Sequence, residues 1–307
     1  MSAFPLLPRY AKMIILGQQF DNTPYIIAIV AGLSVGDPFL SFEELPIVED
    51  PAARSNRQRF DATRREFSRL DEGCDVLRLL SAIGAYEYAG ATDEFCEGKF
   101  LRIKTMKEIR KLRIQITNLV NNLLAGIVSP VRFKANLAPP SAVQIRTIKQ
   151  IVAAAYLDHI AIRSDLLDVS PSKGPAKDIL RAEYCPLIPV SRSSSLSDMG
   201  TAFVYPNSAL ARSIKVPEYV VYSDLRESQS ERLRLIPLTP ISAREIEPLA
   251  KGTPLIQYSK PLNYPPPRIF TEHGLMKKEV YVVPRFGIRG RSWELPSVKR
   301  VEDLVKH

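Results

Sequence analysis

The chain has 307 residues and a mass of 34.4 kDa, enough for two domains or three small ones. Its net charge of +9 and pI near 9.4 indicate a mixed surface with a basic excess, which suits RNA, DNA or an acidic partner alike. Three widely spaced cysteines without a Cys/His ligand pattern argue against zinc, and the longest apolar run, residues 25–33, is shorter than the roughly 20 residues that span a membrane.

The first third of the sequence is helical in pattern. Residues 8–19 are predicted to form a helix, with Pro8 in its first turn and Gly17 near its end. A second helix is predicted from Thr23; it is apolar on nearly every side and therefore expected to be buried. Residues 37–72 are polar and include six arginines between residues 54 and 69, so we expect a mobile basic loop or an exposed helix there.

A third amphipathic helix is predicted from Asp75, and the segment from Glu94 to Val120 is predicted to be one long helix. Its apolar stripe consists of Leu101, Thr105, Ile109, Leu112, Ile116 and Leu119. One basic arc consists of Lys99, Arg102, Arg110 and Arg113, and another of Lys104, Lys107 and Lys111. Two interpretations stay open: a solvated basic face, or a rigid edge that grips nucleic-acid phosphates.

Beyond this helix the pattern of apolar residues changes from helical spacing to short β-rich runs. Ser141 is predicted to cap a helix over residues 142–162, and the helical domain is predicted to end near residue 168. Short β-rich runs follow, with one short helix at 242–251, and predict a small barrel or sandwich. Residues 191–198 are expected to be a flexible insertion, and two strands are expected in the last fifty-odd residues. The predicted domains are 1–168, 169–250 and 251–307.

The sequence lacks the motifs of an enzyme active site. It contains no phosphate-binding glycine loop and no nucleophile elbow, and no pair of carboxylates stands out. His159 is interpreted as a packing residue, His273 as a turn residue, and His307 is terminal. We therefore expect no catalytic residue, no metal site and no cofactor in this chain, which alone should not turn over a substrate.

Five segments, in order, resemble the C-terminal half of DEAH-box RNA helicases and cover most of residues 1–250. They are MSAFPLLPRYAKM, IIAIVAGLSV, CDVLRLLSAIGAY, FCEGKFLRIKTMKEIRKLRIQI, and FVYPNSAL with PEYVVYSDL. The first matches the family pattern at Met1, Phe4, Pro5, Leu6, Pro8, Arg9, Lys12 and Met13. The third and fourth match at Asp75, Leu77, Leu79, Leu80, Cys96, Phe100, Lys104, Met106, Arg113 and Gln115. The chain departs from the pattern at Lys99, Tyr205 and Asn207, where the family has Asn, His and Ser.

This resemblance implies an α+β fold: a helical ratchet domain, an oligonucleotide-binding (OB-fold-like) β-barrel and a small β-containing C-terminal extension. In the family, ratchet and barrel close one side of a tunnel through which single-stranded RNA threads by its phosphates. The tunnel floor is formed by two motor domains that use ATP and Mg. These motor domains and most of the winged helix are absent from this sequence, so the chain is expected to be a fragment of a larger helicase.

Two further segments resemble one branch of the family. The sequence of residues 86–116 and the C-terminal segment VPRFGIRGRSWELP are similar to segments of the nucleolar members that act in the small-subunit processome. In that branch the enzyme removes U3 small nucleolar RNA (snoRNA) from pre-ribosomal RNA. The resemblance implies a nuclear, nucleolar location, with pre-rRNA, snoRNA, the helicase motor domains, pre-ribosomal proteins and an activator protein as partners, and no membrane.

Candidate binding residues follow from pattern and resemblance together. The expected RNA-binding residues are Lys99, Arg102, Lys104, Arg110, Arg113, Tyr205, Asn207 and Ser208. The last three directly follow a strand, which would place them at the barrel mouth; ordinary turn formation is the alternative. The expected partner-binding residues are Arg285, Arg289, Arg291 and Trp293. For Trp293, packing in the core of the extension is the alternative.

Three functional hypotheses remain at this stage. The first is the RNA-gripping, regulatory half of an ATP-dependent RNA helicase in small-subunit biogenesis. The second is a non-enzymatic scaffold that binds RNA or protein of the pre-ribosome, motivated by residues 54–69 and 251–307. The third is a stand-alone nucleic-acid-binding protein without a motor, which predicts a stop codon upstream of Met1.

Overall fold

A computed structural model describes residues 6–45, 51–123, 130–167, 176–188, 200–228, 232–272 and 275–303. The predicted insertion at 191–198, the residues Met1, Phe4 and Pro5 of the first family segment, and the histidines at 273 and 307 lie outside these ranges. In the described residues the fold is α+β, with helices first and strands after them, which confirms the predicted fold class.

The N-terminal half is a bundle of helices around α2. The helices are α1 Pro8–Gln19, α2 Thr23–Val35, α3 Pro51–Phe67, α4 Asp75–Tyr88, α5 Asp93–Gly98, α6 Ile103–Leu123 and α7 Ala142–Ala155. As its apolar sequence predicts, α2 is buried and packs against α1, α4 and α6. The absence of a side chain at Gly32 lets α2 approach α4 closely, since a Cβ there would lie 2.6 Å from Cδ2 of Leu79.

A closed five-stranded barrel follows the bundle. Its strands are β1 Ile160–Arg163, β2 Glu183–Pro186, β3 Ala202–Val204, β4 Tyr219–Glu227 and β5 Leu233–Ile241, in the order β1-β2-β3-β5-β4. The β3–β5 pair is parallel and the other pairs are antiparallel. Alternation along the strands separates two cores: Ala161 and Val220 point into the barrel, whereas Ile160, Ile162 and Val221 join the core shared with the helices.

The C-terminal part consists of one helix and two small sheets. Its elements are α8 Ala243–Ala250, β6 Ile256–Tyr258, β7 Arg268–Glu272, β8 Leu275–Val282, β9 Pro284–Ile288, β10 Arg291–Glu294 and β11 Val298–Asp303. The sheets have the orders β10-β9-β6 and β11-β8-β7. Phe286, Trp293 and Leu295 belong to the same core as the helical bundle, so the sheet β10-β9-β6 packs onto the main body.

The predicted long helix from Glu94 to Val120 is wrong, because the chain breaks between α5 and α6. Phe100 has a positive φ of 54°, and its ring meets Phe60 edge-on with centroids 5.4 Å apart. Leu101 forms a β-bridge with Phe39, and the N–H of Arg102 donates to the carbonyl of Pro38 at 2.7 Å. These contacts with the chain after α2 and with α3 stop the helix and restart it four residues later.

The predicted helix over residues 142–162 is also shorter than expected. Ser141 caps it as predicted, with Gln144 completing a capping box, but α7 ends at Ala155. Ile160–Arg163 then forms the first barrel strand, because these residues pair with β2 on one side and β4 on the other. This strand begins before residue 168, inside the segment assigned to the helical domain.

Candidate nucleic-acid interface

Lys99 and Arg102 lie in the break before α6, not on the helix. The Nζ of Lys99 is 2.6 Å from Oε2 of Glu66 on α3. The Arg102 guanidinium lies 2.7 Å from a Glu44 carboxylate oxygen and donates to the carbonyls of Asp37 and Phe39. Hydrogen bonds from Arg102 and from the Ser41 amide lower the Glu44 pKa to about 2. Both cations therefore tie the segment after α2 and α3 to the break, and the predicted arc with Arg110 and Arg113 does not form.

Arg113 was expected to contact RNA, but it is inside the bundle with only 2% of its surface exposed. Its Nη1 lies 3.3 Å from Oε1 of the buried Glu87, and it donates to the carbonyl of Lys134 and stacks over the Phe133 ring. Burial lowers the pKa of Arg113, and Glu87 opposes this shift. The assignment of Arg113 to RNA is therefore corrected: it is a packing residue that joins α4, α6 and residues 133–134.

Arg110 forms an ion pair with the same Glu87 carboxylate from the solvent side of α6. Its Nε donates to Oε2 of Glu87 at 3.1 Å, while its side chain remains half exposed. Sequence reasoning missed Glu87, because a glutamate near the end of an amphipathic helix usually faces solvent. The position of Arg110 is compatible with contact to an external anion through its remaining N–H groups.

A row of exposed polar side chains runs along the solvent face of α6. We call this the α6 row; it consists of Lys104, Lys107, Lys111, Gln115 and Asn118, and the exposed carboxylate of Glu108 lies among them. Lys107 is paired with Asp93 at 2.8 Å, whereas no carboxylate in the described residues pairs with the other two lysines. The Cα atoms of these two lysines are separated by about 10 Å along the axis, since each residue rises about 1.5 Å. The row can therefore present two ammonium groups and two amides to one extended polyanion.

The predicted residues of the barrel mouth form a loop that is fixed to the helical bundle. Tyr205 is half buried, and its N–H donates to the carbonyl of Leu235 on β5 at 3.0 Å. The carbonyl of Asn207 accepts hydrogen bonds from Arg78 at 2.9 Å and from Arg64 at 3.4 Å. Ser208 is buried. Its Oγ accepts the N–H of residue 211 at 3.0 Å and so closes a turn, which was the alternative interpretation.

The residues that fix this loop were not singled out from the sequence. Asp75 accepts the backbone N–H groups of Ala209 and Leu210 at 2.7 and 3.3 Å, and it pairs with Arg78 at 2.9 Å. Burial raises the Asp75 pKa, while the charge of Arg78 and the two amides oppose the shift. Arg64, on α3, donates to the carbonyls of Leu40 and Asn207. One signal was present: Asp75 and the barrel loop both occur in the segments that resemble the helicase family.

Tyr205 and Ser208 also line a cavity of about 170 Å³ between the bundle and the barrel. Arg78 and Asp37 line its helical side, and Arg226 on β4 lines its barrel side. The barrel-mouth residues and the α6 row are therefore not parts of one pocket.

The four residues expected to bind partners divide into two groups. Trp293 is 5% exposed and meets Phe286 and Tyr219 at centroid distances of 5.7 and 6.3 Å, so its assignment as a docking residue is corrected to core packing. Arg291 is half buried and turns its Nε and Nη2 inward, which withdraws it from a docking surface. Arg285 and Arg289 are exposed.

His159 is a packing residue, as predicted. Its ring stacks on Tyr222 with centroids 5.0 Å apart, and burial lowers its pKa. Across the described ranges, no group of three or more His, Cys, Asp or Glu side chains could hold a metal ion. No helix in those same ranges is long and apolar enough to cross a membrane.

Comparison with known proteins gives two results. Residues 7–79 match the family model of the helicase associated domain (HA2), ratchet-like. The chain is 35% identical over 99% of its length to a protein of Schizosaccharomyces pombe named as an ATP-dependent RNA helicase. It is 32% identical over 94% of its length to DHR1 of Saccharomyces cerevisiae, and 30% identical over 97% to DHX37 of Homo sapiens, both named in the same way. The chain spans 24–26% of the length of these relatives.

Proposed function

This chain belongs to the DEAH-box RNA helicase family as a region that includes the ratchet-like helicase-associated domain, and we propose that it grips single-stranded RNA for an ATP-dependent helicase. The similarity to named RNA helicases over nearly the whole chain carries this proposal. ATP and Mg would bind in motor domains outside this sequence. The chain itself would supply a rigid surface for RNA and would act on the motor through that surface.

The α6 row supports this role better than the basic arc expected from the sequence. Lys104 and Lys111 are exposed on a 21-residue helix whose opposite face is buried, so their spacing is fixed before RNA arrives. Their ammonium groups can contact phosphates, and the amides of Gln115 and Asn118 can donate to phosphate oxygens. Arg110 can add a guanidinium at the edge of the row.

The test is RNA binding by the 307-residue chain carrying Lys104→Ala and Lys111→Ala. We expect the slope of log K against log salt to fall in magnitude by about 1.4, because each phosphate contact to a single strand contributes roughly 0.7. The probe is a fluorescein-labelled 12-nucleotide uridine RNA, measured by anisotropy. The control Lys177→Ala/Lys251→Ala removes two exposed lysines elsewhere and should keep the wild-type slope. An unchanged slope in the first variant would remove the α6 row from the RNA path.

We further propose that the helicase acts in small-subunit ribosome biogenesis in the nucleolus, where it would release U3 snoRNA from pre-rRNA. The similarity to DHR1 and DHX37 and the family segments in residues 86–116 and 283–296 support this assignment. Its partners would be pre-rRNA, snoRNA, pre-ribosomal proteins and an activator protein. Full-length enzyme with the two α6 substitutions should leave U3 on pre-ribosomal particles, measured by gradient sedimentation and northern blotting.

A scaffold role is the second candidate, and the exposed Arg285 and Arg289 favour it. Deletion of residues 251–307 is not a clean test, because Phe286, Trp293 and Leu295 belong to the main core. In the same gradients, Arg285→Ala/Arg289→Ala should shift the enzyme off the particles if docking is the main role. Normal sedimentation with normal U3 release would remove the support for this second candidate.

A further inference from the structure

A second basic surface, separate from the α6 row, lies between α3 and the barrel loop that follows β3. We call it the α3 groove; it has a volume of about 660 Å³. The exposed side chains of its lining, which we call the rim, include Arg65, Glu66, Arg69, Glu72, Arg212 and Ile214. Arg65 and Arg69 belong to α3 and to the turn that follows it, and Arg212 and Ile214 follow β3. Ile214 is 90% exposed, more than any other large apolar side chain of the described residues.

Cations outnumber the carboxylates that could neutralise them in the α3 groove. Asp61 is shared between Arg57 at 3.4 Å and Arg212 at 3.2 Å, so one carboxylate serves two guanidinium groups. Glu66 is occupied by Lys99. Within the described ranges no carboxylate is paired with Arg65. The same holds for Arg69, and both side chains are exposed.

Repulsion between neighbouring guanidinium groups contributes to the lowered pKa values of Arg212 and Arg64. Burial lowers the pKa of Arg212, and the charges of Arg78, Arg57 and Arg65 lower it further, while Asp61 opposes them. Burial also lowers the pKa of Arg64 to about 10, and Arg78 adds to this shift. A bound anion would relieve this repulsion.

The chemistry of the rim distinguishes between an RNA strand and an acidic peptide. Arg65 lies in the last turn of α3 and Arg69 in the turn that follows it, and each exposed guanidinium group can donate two hydrogen bonds to one phosphate. Glu72 has only acceptor oxygens, which require donors such as ribose 2′-hydroxyls or base amino groups. The charge of Glu72 repels phosphates and peptide carboxylates alike, so its preference for RNA comes only from these donors, which every nucleotide carries. The exposed Ile214 provides apolar surface for a base.

We propose that the α3 groove binds single-stranded RNA through its phosphates, as a second contact in addition to the α6 row. This inference rests on the proposed function, since it takes RNA to be the ligand of the chain. The two surfaces lie on different helices, so loss of one contact leaves the other in place.

The experiment compares three variants of the 307-residue chain in the same anisotropy titration with 12-nucleotide uridine RNA. Arg65→Ala/Arg69→Ala should bind on the order of tenfold more weakly and lose about 1.4 from the salt slope. Arg65→Lys/Arg69→Lys keeps both charges and should keep most of the slope. The matched control Arg146→Ala/Arg181→Ala removes two exposed arginines elsewhere and should keep both the affinity and the slope. Urea midpoints equal to wild type establish that all three are folded.

Each outcome separates the α3 groove from the α6 row. If Arg65→Ala/Arg69→Ala binds like the control while Lys104→Ala/Lys111→Ala loses affinity, the groove proposal is overturned and the proposed function stands. If a fluorescein-labelled ten-residue glutamate peptide binds the wild-type chain, fails to bind the groove variant, and RNA binding is unchanged, the groove is a protein site. Additive loss in the combined four-residue variant would support two independent RNA contacts.

Discussion

Glu87 determines what two basic residues of α6 can do. Its buried carboxylate forms one ion pair with Arg113 inside the bundle and another with Arg110 at the surface. Their positions in the sequence predicted one continuous basic arc, because helical spacing places residues three apart on the same side. The spacing could not show that a carboxylate from α4 draws one of them inward. Residue type and period therefore predicted a cationic helix correctly, but not which cations solvent can reach.

We expect Arg113→Met to destabilise the chain by about 3 kcal/mol, because it leaves the Glu87 carboxylate buried with half of its hydrogen bonds. Arg110→Ala is the matched comparison and should cost about 1 kcal/mol or less, since this arginine is half exposed. Urea unfolding followed by circular dichroism measures both, with m-values compared to exclude a change in the unfolded state. Equal costs for the two variants would contradict the buried role of Arg113.

At the scale of elements, local signals predicted structure where local contacts form it. Ser141 and Gln144 cap α7 within four residues of sequence, and β5 forms in one of the short β-rich runs predicted after the helical domain. The break before α6 depends instead on Phe39 and Phe60, which are 40 or more residues away. The strand Ile160–Arg163 resembles the end of an apolar helix, and only its pairing with two other strands identifies it.

The same distinction applies to the candidate interface. Exposure of Lys104 and Lys111 follows from the period of α6 alone, so the sequence was sufficient to predict it. The loop around Asn207 was predicted to lie at the barrel mouth, but its fixation by Arg64, Arg78 and Asp75 brings together three distant segments. No periodicity within one element contains that information.

At the scale of the whole molecule, one core joins the helices, the outer face of the barrel and the C-terminal sheet β10-β9-β6. The Trp293 ring lies between Phe286 of β9 and Tyr219 of β4, in the core that also contains the buried face of α2. A core shared in this way predicts that the C-terminal part unfolds together with the rest. It also makes the orientation of the barrel dependent on residues beyond 251.

We therefore expect Trp293→Ala to cost about 3–5 kcal/mol, the usual range for removing a large buried aromatic side chain. The midpoint of urea unfolding should fall when it is followed by circular dichroism. In the wild-type chain, Trp293 fluorescence and the helical signal should change at the same urea concentration, because both report the same core. Arg289→Ala, exposed in the turn after β9, should leave the midpoint unchanged. If Trp293 fluorescence of the wild-type chain instead changed in a separate transition at lower urea than the helical signal, the sheet β10-β9-β6 would be an independent unit, and deletion of 251–307 would become a valid test of docking.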